Sequence, residues 1–145
     1  MNVYLQAVDK ENFHECVNLK VAPGQEGFVA SNVYSVAQAK VEPQCVPLAV
    51  YADGEVVGFA MYGMEAGEVW IHRFMISAGN QGKGFGRAAM EELISHIKHR
   101  YPHEPITLGY DPKNIVAERL YESFGFRKTG RVVEGETISQ LQGKT

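Results

Sequence analysis

A chain of 145 residues, 45% hydrophobic and 21% charged, has the size of one ordinary domain with a two-layer core, and a single domain over 1–145 is expected. Seventeen acidic against fourteen basic residues leave a formal charge of −3, which supplies no basic surface of the kind nucleic acid requires. Two cysteines are too few for a disulfide scaffold, no apolar run reaches the roughly 18 residues that cross a membrane, and no charged-then-apolar leader opens the chain. A cytoplasmic protein with neither membrane nor nucleic-acid partner is the expectation.

Asn2 to Val8 reads as a short strand with Val3, Leu5 and Ala7 on one side. Residues 11–20 put Phe13, Cys16, Val17 and Lys20 at helical spacing. After the break at Pro23-Gly24, a second helical stripe is predicted through Phe28, Val29, Val33 and Val36. Residues 45–52 read as a strand, Asp53-Gly54 as a hairpin turn and residues 55–63 as its partner. Glu68 to Ile76 is a further β-prone run. From Phe85 the period changes: Phe85, Ala89, Leu93 and Ile97 align, flanked by Met90 and Ile94, and the basic run His96–Arg100 fits the solvated end of that helix. Ile106 to Tyr110 is a strand, Asp111-Pro112 a turn, and Ile115 to Phe124 a helix stopped by Gly125. Strands around Arg127–Val133 and Thr137–Leu141 close the chain. The order describes an α/β fold with a mixed sheet and helices packed on it.

The segment QGKGFG, residues 81–86, follows a strand and opens a helix, so its free N–H groups converge at the positive end of the helix dipole. That arrangement suits a phosphate or pyrophosphate. It is not a Walker loop, because GxxxxGK[ST] is absent and no Ser or Thr is placed for magnesium. Its GxGxG spacing and its place after several strands also depart from the dinucleotide fingerprint.

Three features together resemble the GNAT family of acetyl-CoA-dependent N-acetyltransferases. The run from strand 70–76 to Gln81 and QGKGFG matches the family's Q/R-x-x-G-x-G/A pattern. Asn114, Ala117, Leu120 and Tyr121 match N-x-x-A-x-x-L-Y, and Glu122 to Phe126 matches the E-x-x-G-F that closes it. Within the family, GQEGFVASNVYSVAQA, GFAMYG and VWIHRFMI are similar to short bacterial spermine/spermidine N-acetyltransferases. One departure is Ala78, where many members carry a proline after the strand, so the turn must draw its rigidity from elsewhere.

The resemblance implies a GNAT fold with a central mixed, splayed sheet, and it implies roles for particular residues. The pyrophosphate of acetyl-CoA would lie on the backbone of Gln81, Gly82, Lys83, Gly84, Phe85 and Gly86, with glycines admitting close approach. Phe74, Met75 and Ile76 would pair with pantetheine at a bulged strand edge. Asn114 suits a pantetheine amide and also an N-cap, and the two roles are compatible. Tyr121, two helical turns on, would protonate the departing thiolate.

The base stays open at this level. Candidates for the base are Glu26, on the piece facing the acceptor, and Glu68 or His72 near the splayed strand, and all three are also candidate contacts for the amine substrate. Glu42, Asp53, Glu65, Glu134 and Glu136 are further carboxylates for a polycation or ordinary surface groups. The expected reaction is direct attack by a polyamine amine on acetyl-CoA in a ternary complex, with no covalent enzyme intermediate and no metal. The alternatives are another small amine, an aminoglycoside or a protein N-terminus as acceptor, and a CoA-binding regulator without turnover. Oligomeric state cannot be read from the sequence; many members of the family dimerise, and the unpaired ends of the late strands near Val132 and Ile138 could serve for a homodimer.

Overall fold

The computed structural model describes residues 2–28 and 30–143. Its elements run β1 (Val3–Ala7), α1 (Phe13–Asn18), α2 (Asn32–Val41), β2 (Cys45–Ala52), β3 (Glu55–Glu65), β4 (Glu68–Ile76), α3 (Phe85–Arg100), β5 (Ile106–Tyr110), α4 (Ile115–Ser123), β6 (Arg127–Val133) and β7 (Glu136–Leu141). A single 3₁₀ turn, Ala78–Asn80, leads from β4 toward α3. The strands form one sheet in the order β1-β2-β3-β4-β5-β7-β6. Every neighbouring pair is antiparallel except β4 and β5, which run parallel.

Three two-residue turns join antiparallel neighbours: Asp53-Gly54, Ala66-Gly67 and Glu134-Gly135. In each, both residues have positive φ (51° and 87°, 50° and 82°, 50° and 80°), the backbone of a type I′ turn whose twist matches the strands it connects. The Asp-Gly turn was legible from its residue types. Ala66-Gly67 was not, because alanine in the left-handed region is unfavourable and is held there by the β3–β4 ladder closing from Glu65↔Glu68.

Alternation places the core on both faces of the sheet. Helix α3 buries Met90, Leu93, Ile94 and Ile97 against Ala60, Tyr62, Val69, Ile71, Ile106 and Leu108, and Ala89 against Val50, Ala52, Val57 and Ile76, as its period predicts. Helix α4 joins that face through Tyr121, with Phe124 beyond its last residue. On the other face α1 contributes Cys16 and α2 contributes Val36 and Ala39, packed over Phe59, Met61 and Met75 or over Ala49 and Val56.

Two expectations change. The stripe from Phe28 to Val36 is not one helix: α2 begins only at Asn32, capped by the Ser31 hydroxyl, and Val33 is 55% exposed while Asn32 and Ser35 are buried. Val29 lies outside the described residues. The inward side of α2 mixes Val36 and Ala39 with buried polar residues, Asn32 bonding the Cys16 carbonyl and Ser35 holding an arginine described below, which apolar periodicity cannot reveal. Second, Ile138 is not at an unpaired edge. Strand β7 is flanked by β5 and β6 and Ile138 is 1% exposed, whereas Val132 does lie on the outer strand, β6.

Candidate active site

The sheet opens between β4 and β5. Their ladder covers only Val69↔Ile106, Trp70↔Thr107 and Ile71↔Leu108, and beyond it the strands diverge. The cause lies in β4. Its register with β3 steps from Met61↔Arg73 to Tyr62↔Ile71, leaving His72 as the extra residue of a bulge just where the ladder stops. Past the bulge, Met75 is turned toward β3, since a Cβ on Gly58 would lie 2.5 Å from the Met75 carbonyl oxygen, and the Ser77 N–H donates to the Val57 carbonyl at 2.9 Å. By alternation the backbone groups of Phe74 and Ile76 face the opening. The strand edge left unpaired at the opening is therefore that of Phe74 and Ile76, with the Met75 backbone facing β3.

The turn that follows is rigid without a proline. The Gln81 side chain donates to the Ile76 carbonyl at 2.9 Å and to Gln25 Oε1 at 2.9 Å, stapling the turn to the strand and to the segment before α2. The Ala78 N–H donates to the Lys20 carbonyl at 2.7 Å, a bond proline lacks the hydrogen to make. Gly82 and Gly84 have φ of 77° and 86°, conformations open to glycine, and Gly84 caps α3. Gly86 is different: it is helical, and a Cβ there would meet only Ile76 Cγ1 at 3.8 Å. The protein itself does not demand glycine at 86, so its smallness keeps open the space above the helix end. The first turn of α3 contains no acidic residue, Phe85 anchors it to the core, and Lys83 is exposed beside it. An anion fits this cradle.

Across the opening, the Asn114 side-chain oxygen accepts from the Ala117 N–H at 3.2 Å, which is the N-cap of α4. The cap uses the oxygen and leaves the NH₂ group for an acceptor. Tyr121 packs against Tyr110 and Phe126, with ring centroids 5.7 and 6.0 Å away. Burial, helped by the charge of Glu136, pushes its phenol up to about 12, so the proton stays on at neutral pH. Arg87 ties the two helices together, donating to Ser123 Oγ at 2.8 Å and stacking over Phe124 at 5.1 Å.

The remaining sequence candidates do not gather at one point. Glu26 accepts from the Gly24 N–H at 2.9 Å in an exposed turn next to Gln25, the residue that meets Gln81. Glu68 lies at the far end of β4, where its carboxylate accepts from Arg131 and Gln140, each at 2.8 Å, and from Thr107 at 3.2 Å. His72 sits at the bulge with Nε2 3.8 Å from Glu65, and burial holds its pKa below the usual imidazole value. Two residues that the motifs missed complete the opening. Arg73 is held on the α2 side by Ser35 Oγ at 3.1 Å and Gln38 Oε1 at 3.0 Å, and Glu136 at the head of β7 is near enough to feel its charge. Their signal was tertiary: neither belongs to a local pattern.

A family model described as "Acetyltransferase (GNAT) family" matches residues 13–126. The chain belongs to the GNAT acetyltransferase family. Like the rest of this GNAT assignment, its enzymatic class is also carried by whole-length relatives. The spermine/spermidine N(1)-acetyltransferase of Bacillus subtilis (strain 168) is 34% identical over 95% of this chain and 97% of its own length. Among solved structures, a spermidine N-acetyltransferase from Vibrio cholerae in complex with CoA and spermine superposes with a TM-score of 0.75 at 17% identity, covering 95% of this chain and 92% of that one. An aminoglycoside acetyltransferase in complex with coenzyme A gives a TM-score of 0.78 at 18% identity, covering 97% and 95%. These two establish the GNAT fold. The protein is an acetyltransferase, and among the described residues no helix is long and apolar enough to cross a membrane.

Proposed function

We propose that this acetyltransferase moves acetyl from acetyl-CoA to a primary amine of a polyamine such as spermidine or spermine, in a ternary complex. The observation that carries the cofactor half is the glycine cradle at the head of α3 set beside a β4 edge that has left its neighbour. In this reading the pyrophosphate accepts from the N–H groups of Gln81 to Gly86, and the pantetheine amides pair with Phe74 and Ile76 and with the NH₂ of Asn114. The thioester then lies in the opening near Tyr121.

The acceptor half is supported by the whole-length likeness to the Bacillus subtilis spermine/spermidine enzyme and by charge. Glu136, with Asp111 and Glu134 close enough to act on it, makes that side of the opening negative, which favours a substrate bearing several ammonium groups. Attack by the neutral amine forms the C–N bond, and collapse breaks the C–S bond. The Tyr121 hydroxyl gives its proton to the leaving sulfur and regains one from the newly acylated nitrogen. A Phe74 or Ile76 N–H facing the opening is the donor placed for the carbonyl oxygen as charge develops there.

The test is acetyl-CoA-dependent thiol release with spermine, spermidine, putrescine, an aminoglycoside, free amino acids and short peptides. Turnover concentrated on the polyamines is expected. Turnover on another amine alone would replace the acceptor. A folded, CoA-binding protein inert toward every amine would instead be a regulator.

A further inference from the structure

We infer that Glu136 is the base that deprotonates the acceptor: its carboxylate takes the proton from the incoming ammonium at the opening between β4 and β5. This assignment rests on the amine-acetylation reading above and supplies the base that the motifs leave open.

The first ground is position. Cross-strand pairing places Thr137 opposite Tyr110 and Ile138 opposite Gly109, so Glu136 projects from the same face as Gly109, the face on which α2 holds Arg73. Tyr121 comes from the opposite face, on α4. Glu136 nevertheless acts electrostatically on Tyr121. An amine arriving from the α2 side would pass the carboxylate before reaching a thioester beside the phenol.

The second ground is the room made for it. A Cβ at residue 109 would lie 2.8 Å from Glu136 Oε1 and 3.0 Å from Ile138 Cδ1. Glycine in the middle of β5 weakens a strand, and here it clears the space in which the carboxylate sits.

The third ground is availability. Glu68 is held by Arg131, Gln140 and Thr107, Glu118 by Tyr110 and Lys128, and Glu26 by the Gly24 N–H. Among the described residues the Glu136 carboxylate has neither a hydrogen bond nor an ion pair. Arg73 is close enough to influence it but is anchored by Ser35 and Gln38, and so does not collapse onto it.

The groups facing Glu136 are Arg73 from β4, Asp111 after β5, Glu134 in the β6–β7 turn and Tyr121 from α4. Burial is the largest influence and raises its pKa, Asp111 and Glu134 raise it further, and Arg73 lowers it. Raised basicity suits a proton acceptor. The step balances: R–NH₃⁺ and the carboxylate become R–NH₂ and the carboxylic acid, the amine attacks, and the acid later loses its proton to water.

The experiment compares Glu136→Gln, Glu136→Asp and Glu91→Gln with wild type, using whichever amine the wild type acetylates best, across a pH series. Glu136→Gln is expected to lower kcat/KM by about 100-fold near neutrality, the loss shrinking as pH rises toward the amine's own pKa and free base is supplied by solvent. Glu136→Asp should recover part of the activity, Glu91→Gln, an exposed carboxylate of α3 outside the opening, should stay near wild type, and acetyl-CoA affinity by calorimetry should hold in all three. A Glu136→Gln protein with wild-type rate and pH profile would overturn the assignment while leaving the acetyltransferase reading intact. So would a loss equal at every pH, or one matched by lost acetyl-CoA affinity, since either marks a structural role. A wild type inert toward all amines would refute the reading itself, and the Glu136 assignment with it.

Discussion

Tyr121 shows how one side chain gains its chemistry from its setting. Packed against Tyr110 and Phe126, it keeps its proton to about pH 12, so at neutral pH it is always a donor and never a phenolate repelling the leaving thiolate. Tyr121→Phe should leave the packing intact and lower kcat by about 100-fold or more, with the Kd for acetyl-CoA unchanged. Thiol-release kinetics and calorimetry on the same preparation check this; parallel losses would assign Tyr121 to binding. Gln81 is a second case. The sequence motif marks it only as a position in a pattern, while the structure shows its amide bridging Ile76 and Gln25.

At the scale of elements, the turn and α3 act as one unit, but its glycines differ in purpose. Gly84 sits at φ 86°, where an alanine is strained by about 1–2 kcal/mol, whereas Gly86 is helical with open space around it. Gly84→Ala should therefore lower Tm and weaken acetyl-CoA binding together. Gly86→Ala should leave Tm alone, helix propensity even favouring alanine, while still weakening acetyl-CoA binding. Thermal melts with and without acetyl-CoA separate the two. Unchanged binding in Gly86→Ala would move the pyrophosphate away from the head of α3.

At the scale of the molecule, burial leaves an alkaline signature. The Cys16 thiol is pushed from its ordinary 9.0 to about 11, mainly by burial, and Tyr121 from 10.0 to about 12. A raised folded-state pKa gives stability that is whole below the unfolded value and is lost as pH climbs through the folded one. Urea midpoints should hold up to about pH 9, fall between there and pH 12, and fall less in Cys16→Ala and Tyr121→Phe. A flat profile across that window would mean that neither group is buried as described. His72 runs the other way: its lowered pKa gives stability above the usual imidazole value that is lost as pH falls through the folded one.

Local physics carries most of what the sequence determined. A glycine-rich turn before a 3.6-period helix, an Asp-Gly hairpin and an Asn-to-Tyr helix each depend on neighbours a few residues apart, so most elements, and the glycine turn at the head of α3, were legible. The buried polar residues of α2 and the interior place of Ile138 were not, because both depend on partners far along the chain: Arg73 for the helix, and β5 and β6 for the strand. The acceptor side is tertiary throughout. Arg73, Gly109, Tyr121 and Glu136 come from four separate elements, and the bulge at His72 sits where β4 parts from β5. The base is thus chosen by where strands separate, a property of the sheet that no segment of the chain contains alone.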